Sequence, residues 1–198
     1  MINRRMVCMS GMSLMVSSLM GCSNEKPAFK AVDITGADYA QGWELSDHNG
    51  QVRTLKEFAG KAVIVFFGYT QCPDVCPTSM QELVEVKRLL GADGERLQGI
   101  FITVDPERDT TELLKAYMAN FDPSFVALRP VAEQLSKVTK DFKIYYKKVA
   151  GPTPTSYTMD HSAGSFTFDP QGRIRLYNRY GMGAPALADD LKILLKGG

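Results

Sequence analysis

An apolar run that breaks into two cysteines and then into an amphipathic helix constrains this chain more than any other feature. Ala62 to Phe67 is β-branched and aromatic, the pattern of a buried strand. From Pro77 to Leu90 the periodicity turns helical. Met80, Leu83, Val84, Val86, Leu89 and Leu90 make an apolar face, and Glu82, Glu85, Lys87 and Arg88 fall mostly elsewhere. Pro77 suits the first helical position, where a missing N–H does no harm. Thr78 with Gln81, or Ser79 with Glu82, has capping-box spacing, which places the helix start to within about two residues. Cys76 therefore lies at or just before a helix N-terminus, whose free amides and positive dipole end favour a thiolate. A strand–loop–helix unit with Cys72 and Cys76 at its turn is a redox or soft-metal site.

The spacing narrows the chemistry. A C-x-x-C pair here would point to a thioredoxin-type disulfide exchanger, but three residues separate Cys72 from Cys76. The longer loop can still close a disulfide, and it also leaves two sulfurs free to face one ion. Structural zinc sites need a full tetrahedral set of ligands, and there is no second cysteine pair to supply it. Cu(I) is well served by thiolates, with one imidazole to complete the set. A plain structural disulfide is the bland alternative, although such bonds usually clamp longer loops.

The N-terminus says where these thiols work. Arg4 and Arg5 precede an apolar, methionine-rich run that closes on Leu19-Met20-Gly21-Cys22. Residues 1–21 read as a signal peptide, too short and wrongly flanked for a lasting membrane helix. The run ends in what resembles a bacterial lipobox, with Cys22 as the lipidated first residue of the mature chain and a stable anchor if it carries two acyl chains. Cys8 leaves with the leader and Cys22 is taken by lipid, so of four cysteines only Cys72 and Cys76 stay reactive, outside the cytoplasm where idle thiols oxidise. Six of the ten methionines also lie in the leader, so they make no methionine-rich copper motif. Without Arg4 and Arg5 the formal charge of +1 turns slightly acidic. That leaves no basic field for nucleic acid.

Residues 22–40 lack apolar periodicity and read as a tether, leaving 41–198 as one domain. Trp43–Ser46 and Gln51–Thr54 flank Asp47-His48-Asn49-Gly50, a tight hairpin signal, with His48 as a solvated turn residue. Further strands fall at 99–104, 125–128, 144–149, 165–168 and 174–177, and Asp169-Pro170-Gln171-Gly172 joins the last two. Helices fall at 109–120, opened by the capping-box spacing of Asp109 and Glu112, and at 131–142 and 185–195. Alternating strands and helices imply a partly parallel sheet, to which the late hairpin adds antiparallel strands. The fold class is α/β: a thioredoxin-like mixed sheet flanked by helices, with an added N-terminal β-hairpin and a late β-hairpin insertion.

His161 sits in a loop just before the late hairpin, in Tyr157-Thr158-Met159-Asp160-His161-Ser162. If that loop faces the cysteine turn, the imidazole can join the thiols, and Asp160 or Ser162 can orient its ring. Asp105 ends a strand that neighbours the Cys72 strand, which makes it a candidate beside the metal. The plainer account is that Pro106 ends the strand and Asp109 caps a helix.

Three blocks in order then resemble the Sco/SenC family of copper proteins needed to assemble cytochrome c oxidase. They are Gly68-Tyr69-Thr70 through Cys72-Pro73-Asp74-Val75-Cys76-Pro77, Val104-Asp105-Pro106-Glu107-Arg108-Asp109-Thr110, and Asp160-His161-Ser162 followed by Asp169-Pro170 and Gly172. The resemblance implies copper ligation by Cys72, Cys76 and His161, as Cu(I) and also Cu(II). It implies a metallochaperone, not an enzyme, that serves the binuclear copper centre of cytochrome c oxidase subunit II. Other periplasmic copper carriers or thiol reductants are further expected partners. The expected location is the bacterial cell envelope, by a lipid anchor where the family commonly uses a transmembrane one. Two other readings stay open. One is a thiol–disulfide oxidoreductase acting on the oxidase's copper-site cysteines through a reversible Cys72–Cys76 disulfide. The other is a thiol peroxidase or redox sensor, for which no peroxide pocket is indicated.

Overall fold

The computed structural model describes residues 28–197. The expected leader over 1–21 and Cys22 lie outside them. In chain order the strands are β1 (Val32–Asp33), β2 (Glu44–Ser46), β3 (Val52–Thr54), β4 (Ala62–Gly68), β5 (Leu97–Thr103), β6 (Val126–Leu128), β7 (Tyr146–Ala150), β8 (Tyr157–His161), β9 (Ser165–Phe168) and β10 (Ile174–Asn178). The helices are α1 (Val75–Leu89), α2 (Thr111–Met118), α3 (Ala132–Asp141) and α4 (Ala184–Leu195). Six strands form the main sheet in the order β1-β10-β9-β4-β5-β6. The β4, β5 and β6 strands run parallel, and β9 lies antiparallel to β4. This is the mixed sheet that the strand–helix alternation implies.

All seven residues of β4 and all seven of β5 are buried, which is why both read as continuous apolar runs. Side chains alternate across the sheet. On one face Phe66 of β4 meets Phe101 of β5, with ring centroids 6.1 Å apart. On the other, Phe67 meets Phe142 just after α3 at 5.1 Å, and Phe142 also packs on Phe166 and Phe168 of β9. Phe66 also borders Leu83 of α1 and Leu187 of α4, so helices cover both faces. No helix among the described residues is long and apolar enough to cross a membrane.

Several local expectations are corrected by tertiary partners. The described part of the 22–40 tether, residues 28–40, is not free spacer. There β1 pairs with β10, and buried Asp190 of α4 accepts from the backbone amides of Lys30 and Ala31, at 2.9 and 2.8 Å. A two-residue strand has too little pattern to be read alone.

The β2–β3 hairpin forms as expected, with the Asp47 carboxylate accepting from the amides of Asn49 and Gln51. Its His48 is no free turn residue, however. Its Nδ1 accepts from the amide of Ala127 at 3.1 Å, and its own amide donates to the Ala127 carbonyl, tying the hairpin to β6. The helix expected from Asp109 has Thr110 as its N-cap, accepting from the amide of Leu113. Neither capping box expected before α1 is used; Asp74 is the N-cap and makes no side-chain cap bond.

Candidate metal centre

The parallel β4 strand ends at Gly68, whose carbonyl accepts from the amide of Val104 at 2.8 Å. The chain then turns through Tyr69 to Asp74 and enters α1, so Cys72 stands in the turn and Cys76 in the first helical turn. Cys76 is fully buried and points back at the end of β4. A Cβ on Gly68 would lie 2.7 Å from its sulfur, 2.8 Å from Phe66 and 2.9 Å from Phe101. Glycine is required here by this close approach rather than by its backbone angles.

The turn is held from below by Asp109, which is completely buried. Its carboxylate accepts from the Thr70 amide at 3.1 Å, the Thr70 hydroxyl at 2.6 Å and the Thr103 hydroxyl at 2.5 Å. One acidic side chain thus fastens the loop after β4 to the loop after β5. Burial outweighs these three donors and holds its pKa above the usual carboxylate range.

His161 is not in a loop. It ends β8, which pairs with β7 in a two-stranded sheet outside the main one. Its Nε2 lies 3.5 Å from the Cys76 sulfur. Its Nδ1 lies 2.9 Å from the Ser162 carbonyl oxygen, which needs a proton on Nδ1 and leaves Nε2 as the ring atom that faces the sulfurs. The ring is flanked edge-on by Phe66 and Tyr69, at 6.1 and 5.9 Å.

The expected orienting groups do not take that role. Asp160 is exposed on the opposite face of the strand, and the Ser162 hydroxyl accepts from the Tyr145 amide instead. The backbone does what those side chains were expected to do. Asp105 is also away from the ligand atoms. Its carboxylate accepts from Arg108 and, at 2.9 Å, from the Tyr157 hydroxyl.

The ligand atoms of Cys72, Cys76 and His161 all lie within 4.8 Å of one another, and among the described residues no other such group exists. Both cysteines are free thiols, and their environments are unequal. The Cys76 thiol donates to Cys72, and the amides of Asp74 and Cys76 also point at the Cys72 sulfur, bringing its pKa from 9.0 down to about 4. That same donated proton, and then burial, push the Cys76 thiol up. The helix start was expected to favour a thiolate at Cys76. It favours one at Cys72 because Cys76 faces the core while the free amides face the turn.

Two thiolates and an imidazole are soft and borderline donors, well matched to copper. The sequence missed Gly68, Tyr69 and Arg108 as parts of the site. All three lie inside motif blocks, but their partners are remote and no local pattern shows them.

A family model described as SCO1/SenC matches residues 31–196. The SCO2-like protein of Rickettsia felis is 36% identical over 152 residues, covering 75% of this chain and 74% of that one. The mitochondrial SCO2 homolog of Bos taurus is 35% identical over 152 residues, covering 76% of this chain and 57% of its own length. ScoI of Bradyrhizobium japonicum, solved with copper bound, superposes with a TM-score of 0.70 at 40% identity, covering 77% of this chain and 97% of that one.

Proposed function

This chain belongs to the SCO1/SenC family, and on that premise we propose that it holds copper through Cys72, Cys76 and His161 and delivers it during assembly of cytochrome c oxidase. The observation that carries this reading is the convergence of the three donor atoms within 4.8 Å, with an imidazole that disulfide exchange does not require. Two thiolates can hold Cu(I), and the imidazole extends the set to Cu(II). Three protein donors leave the ion open to capture by an acceptor's ligands. The acceptor we propose is the binuclear copper centre of oxidase subunit II.

Loading is coupled to proton release. Cys72 is poised as a thiolate, whereas Cys76 gives up its proton as the metal takes that proton's place. An oxidised pair has no thiolate to offer, so copper binding and disulfide formation exclude one another. We place the protein in the bacterial cell envelope, anchored through lipid on Cys22.

A second reading is favoured by the inequality of the two sulfurs. A low-pKa Cys72 in the turn and a buried thiol at Cys76 are what an attacking and a resolving cysteine need. That reading is a thiol–disulfide oxidoreductase acting on the oxidase's copper-site cysteines.

Copper titration of the domain, reduced and oxidised, separates the two. The expected result is one copper per reduced domain, none when oxidised, and loss of tight binding in Cys72→Ala and in Cys76→Ala. Rapid reduction of disulfide substrates that survives His161→Ala, with weak copper binding, would establish the oxidoreductase instead.

A further inference from the structure

The imidazole and the thiols are held by different parts of the fold, and two side chains span the gap: Tyr69, hydrogen-bonded to the backbone of Met159 in β8, and Arg108, which makes the wider set of contacts. The β7–β8 hairpin that carries His161 is not hydrogen-bonded into the main sheet. It is gripped by the loop after β5. Arg108 in that loop donates through Nη1 to the Tyr157 carbonyl of β8 at 2.8 Å, and to the Gln71 side chain of the cysteine turn at 3.1 Å. Its guanidinium lies over the Tyr157 ring at 3.5 Å and over the Tyr69 ring at 5.6 Å. Asp105 completes the strap, taking Arg108 on one carboxylate oxygen and the Tyr157 hydroxyl on the other. Lys148 of β7 pairs with Glu107 of the same loop at 2.7 Å and sits over Tyr157 at 3.9 Å. The Arg108 Nη2 is buried without a hydrogen-bond acceptor, so ring stacking contributes to holding the head group.

We propose that Arg108 is a positioning residue that sets His161 against the two sulfurs. It touches the cysteine turn at Gln71, the start of the histidine strand at Tyr157, and Tyr69, whose ring borders the imidazole. The planar guanidinium can bridge two oxygens and stack at once, which a lysine cannot do. The inference rests on the copper reading for its functional consequence, although the strap itself does not depend on metal.

The test uses reduced wild-type domain, Arg108→Ala, Arg108→Lys and Tyr157→Phe. Amide hydrogen exchange without metal is read first, and Cu(I) and Cu(II) affinities second. Arg108→Ala is expected to speed exchange over residues 157–161 while β4 and β5 stay protected. It should also lower Cu(II) affinity about tenfold or more, with a smaller loss for Cu(I). Arg108→Lys should behave like the alanine variant, and Tyr157→Phe, which loses only the hydroxyl bond, should show a lesser effect.

Unchanged exchange at 157–161, full rescue by lysine, or a rise shared equally by β4 and β5 would each overturn the proposal. Equal losses for Cu(I) and Cu(II) would overturn it too. If the wild-type domain binds no copper, the functional reading fails, and the exchange measurement still decides the strap.

Discussion

The two halves of the proposed copper site are built on opposite principles. The sulfur half stands on β4, every residue of which is buried, and its inner cysteine fills the space that Gly68 leaves. The imidazole half stands on β8, where Thr158 and Asp160 are exposed and only Met159 is buried. The core dictates where the sulfurs lie. A few side-chain contacts dictate where the ring lies, and local opening follows the lower density of buried contacts. On the proposal of copper delivery, such a division serves both binding and release, with one half preformed and the other able to yield.

The harshest test of the core-held half is Gly68→Ala. The new methyl group collides with Cys76, Phe66 and Phe101, and overpacking of this kind costs about 1–3 kcal/mol. Urea unfolding should show that loss, and copper binding should weaken in both oxidation states because a sulfur is displaced. Wild-type stability in this variant would mean that the core is looser than the contacts imply.

Next in size is His161→Ala, which removes the yielding half. Cu(II) affinity should be mostly lost, while Cu(I) binding survives in weakened form on two thiolates. The unfolding midpoint should hardly move, since β8 is peripheral. Equal loss of both oxidation states would break the division.

A smaller effect concerns protons on the preformed half. Because the folded pKa of Cys72 is depressed to about 4, its thiolate contributes stability that is fully present above the unfolded value and lost as pH falls through about 4. Cys76 has the opposite sign: its raised pKa stabilises below the unfolded value, and that contribution fades above it. Alkylation of the reduced domain should therefore label Cys72 first and remain rapid at mildly acidic pH. A rate that rises only at roughly pH 8–9, as for an ordinary thiol, would refute the inequality.

The smallest expected change is Asp160→Asn. The side chain is exposed on the face of β8 away from the site, so stability should shift by less than about 0.5 kcal/mol and copper affinity should hold. A clear loss of Cu(II) binding would reinstate Asp160 as a partner of the ring.

Much of this molecule is legible in the chain alone. The β4 run, α1, the two hairpins around Asn49-Gly50 and Gln171-Gly172, and the final helix announce themselves through apolar periodicity and turn chemistry, which act over a few residues. Cysteine spacing singles out Cys72 and Cys76 as the reactive pair, whereas His161 enters as a third donor only through the resemblance of its block to the Sco/SenC family. Legibility failed wherever a polar residue had two local uses. The spacing of Asp109 and Glu112 suits a helix cap, yet Asp109 is buried among threonines of two other segments. Asp160 is adjacent to His161 in sequence, but strand alternation turns it away. Strand β8 carries no strand signal of its own, because Tyr157 to His161 mixes exposed polar with half-buried residues and is shaped by its pairing with β7.

By itself, then, the sequence determined the class of fold and the reactive cysteine pair, because these are set by residue type and short-range spacing; His161 is singled out by family resemblance, not by spacing. Tertiary structure alone decided which cysteine is the thiolate, what orients the imidazole, and what holds the hairpin in place. Those outcomes depend on burial and on hydrogen bonds across 85 residues between Cys76 and His161 and 49 between Arg108 and Tyr157. No local pattern encodes them, since each exists only once the sheet has brought its loops to one edge.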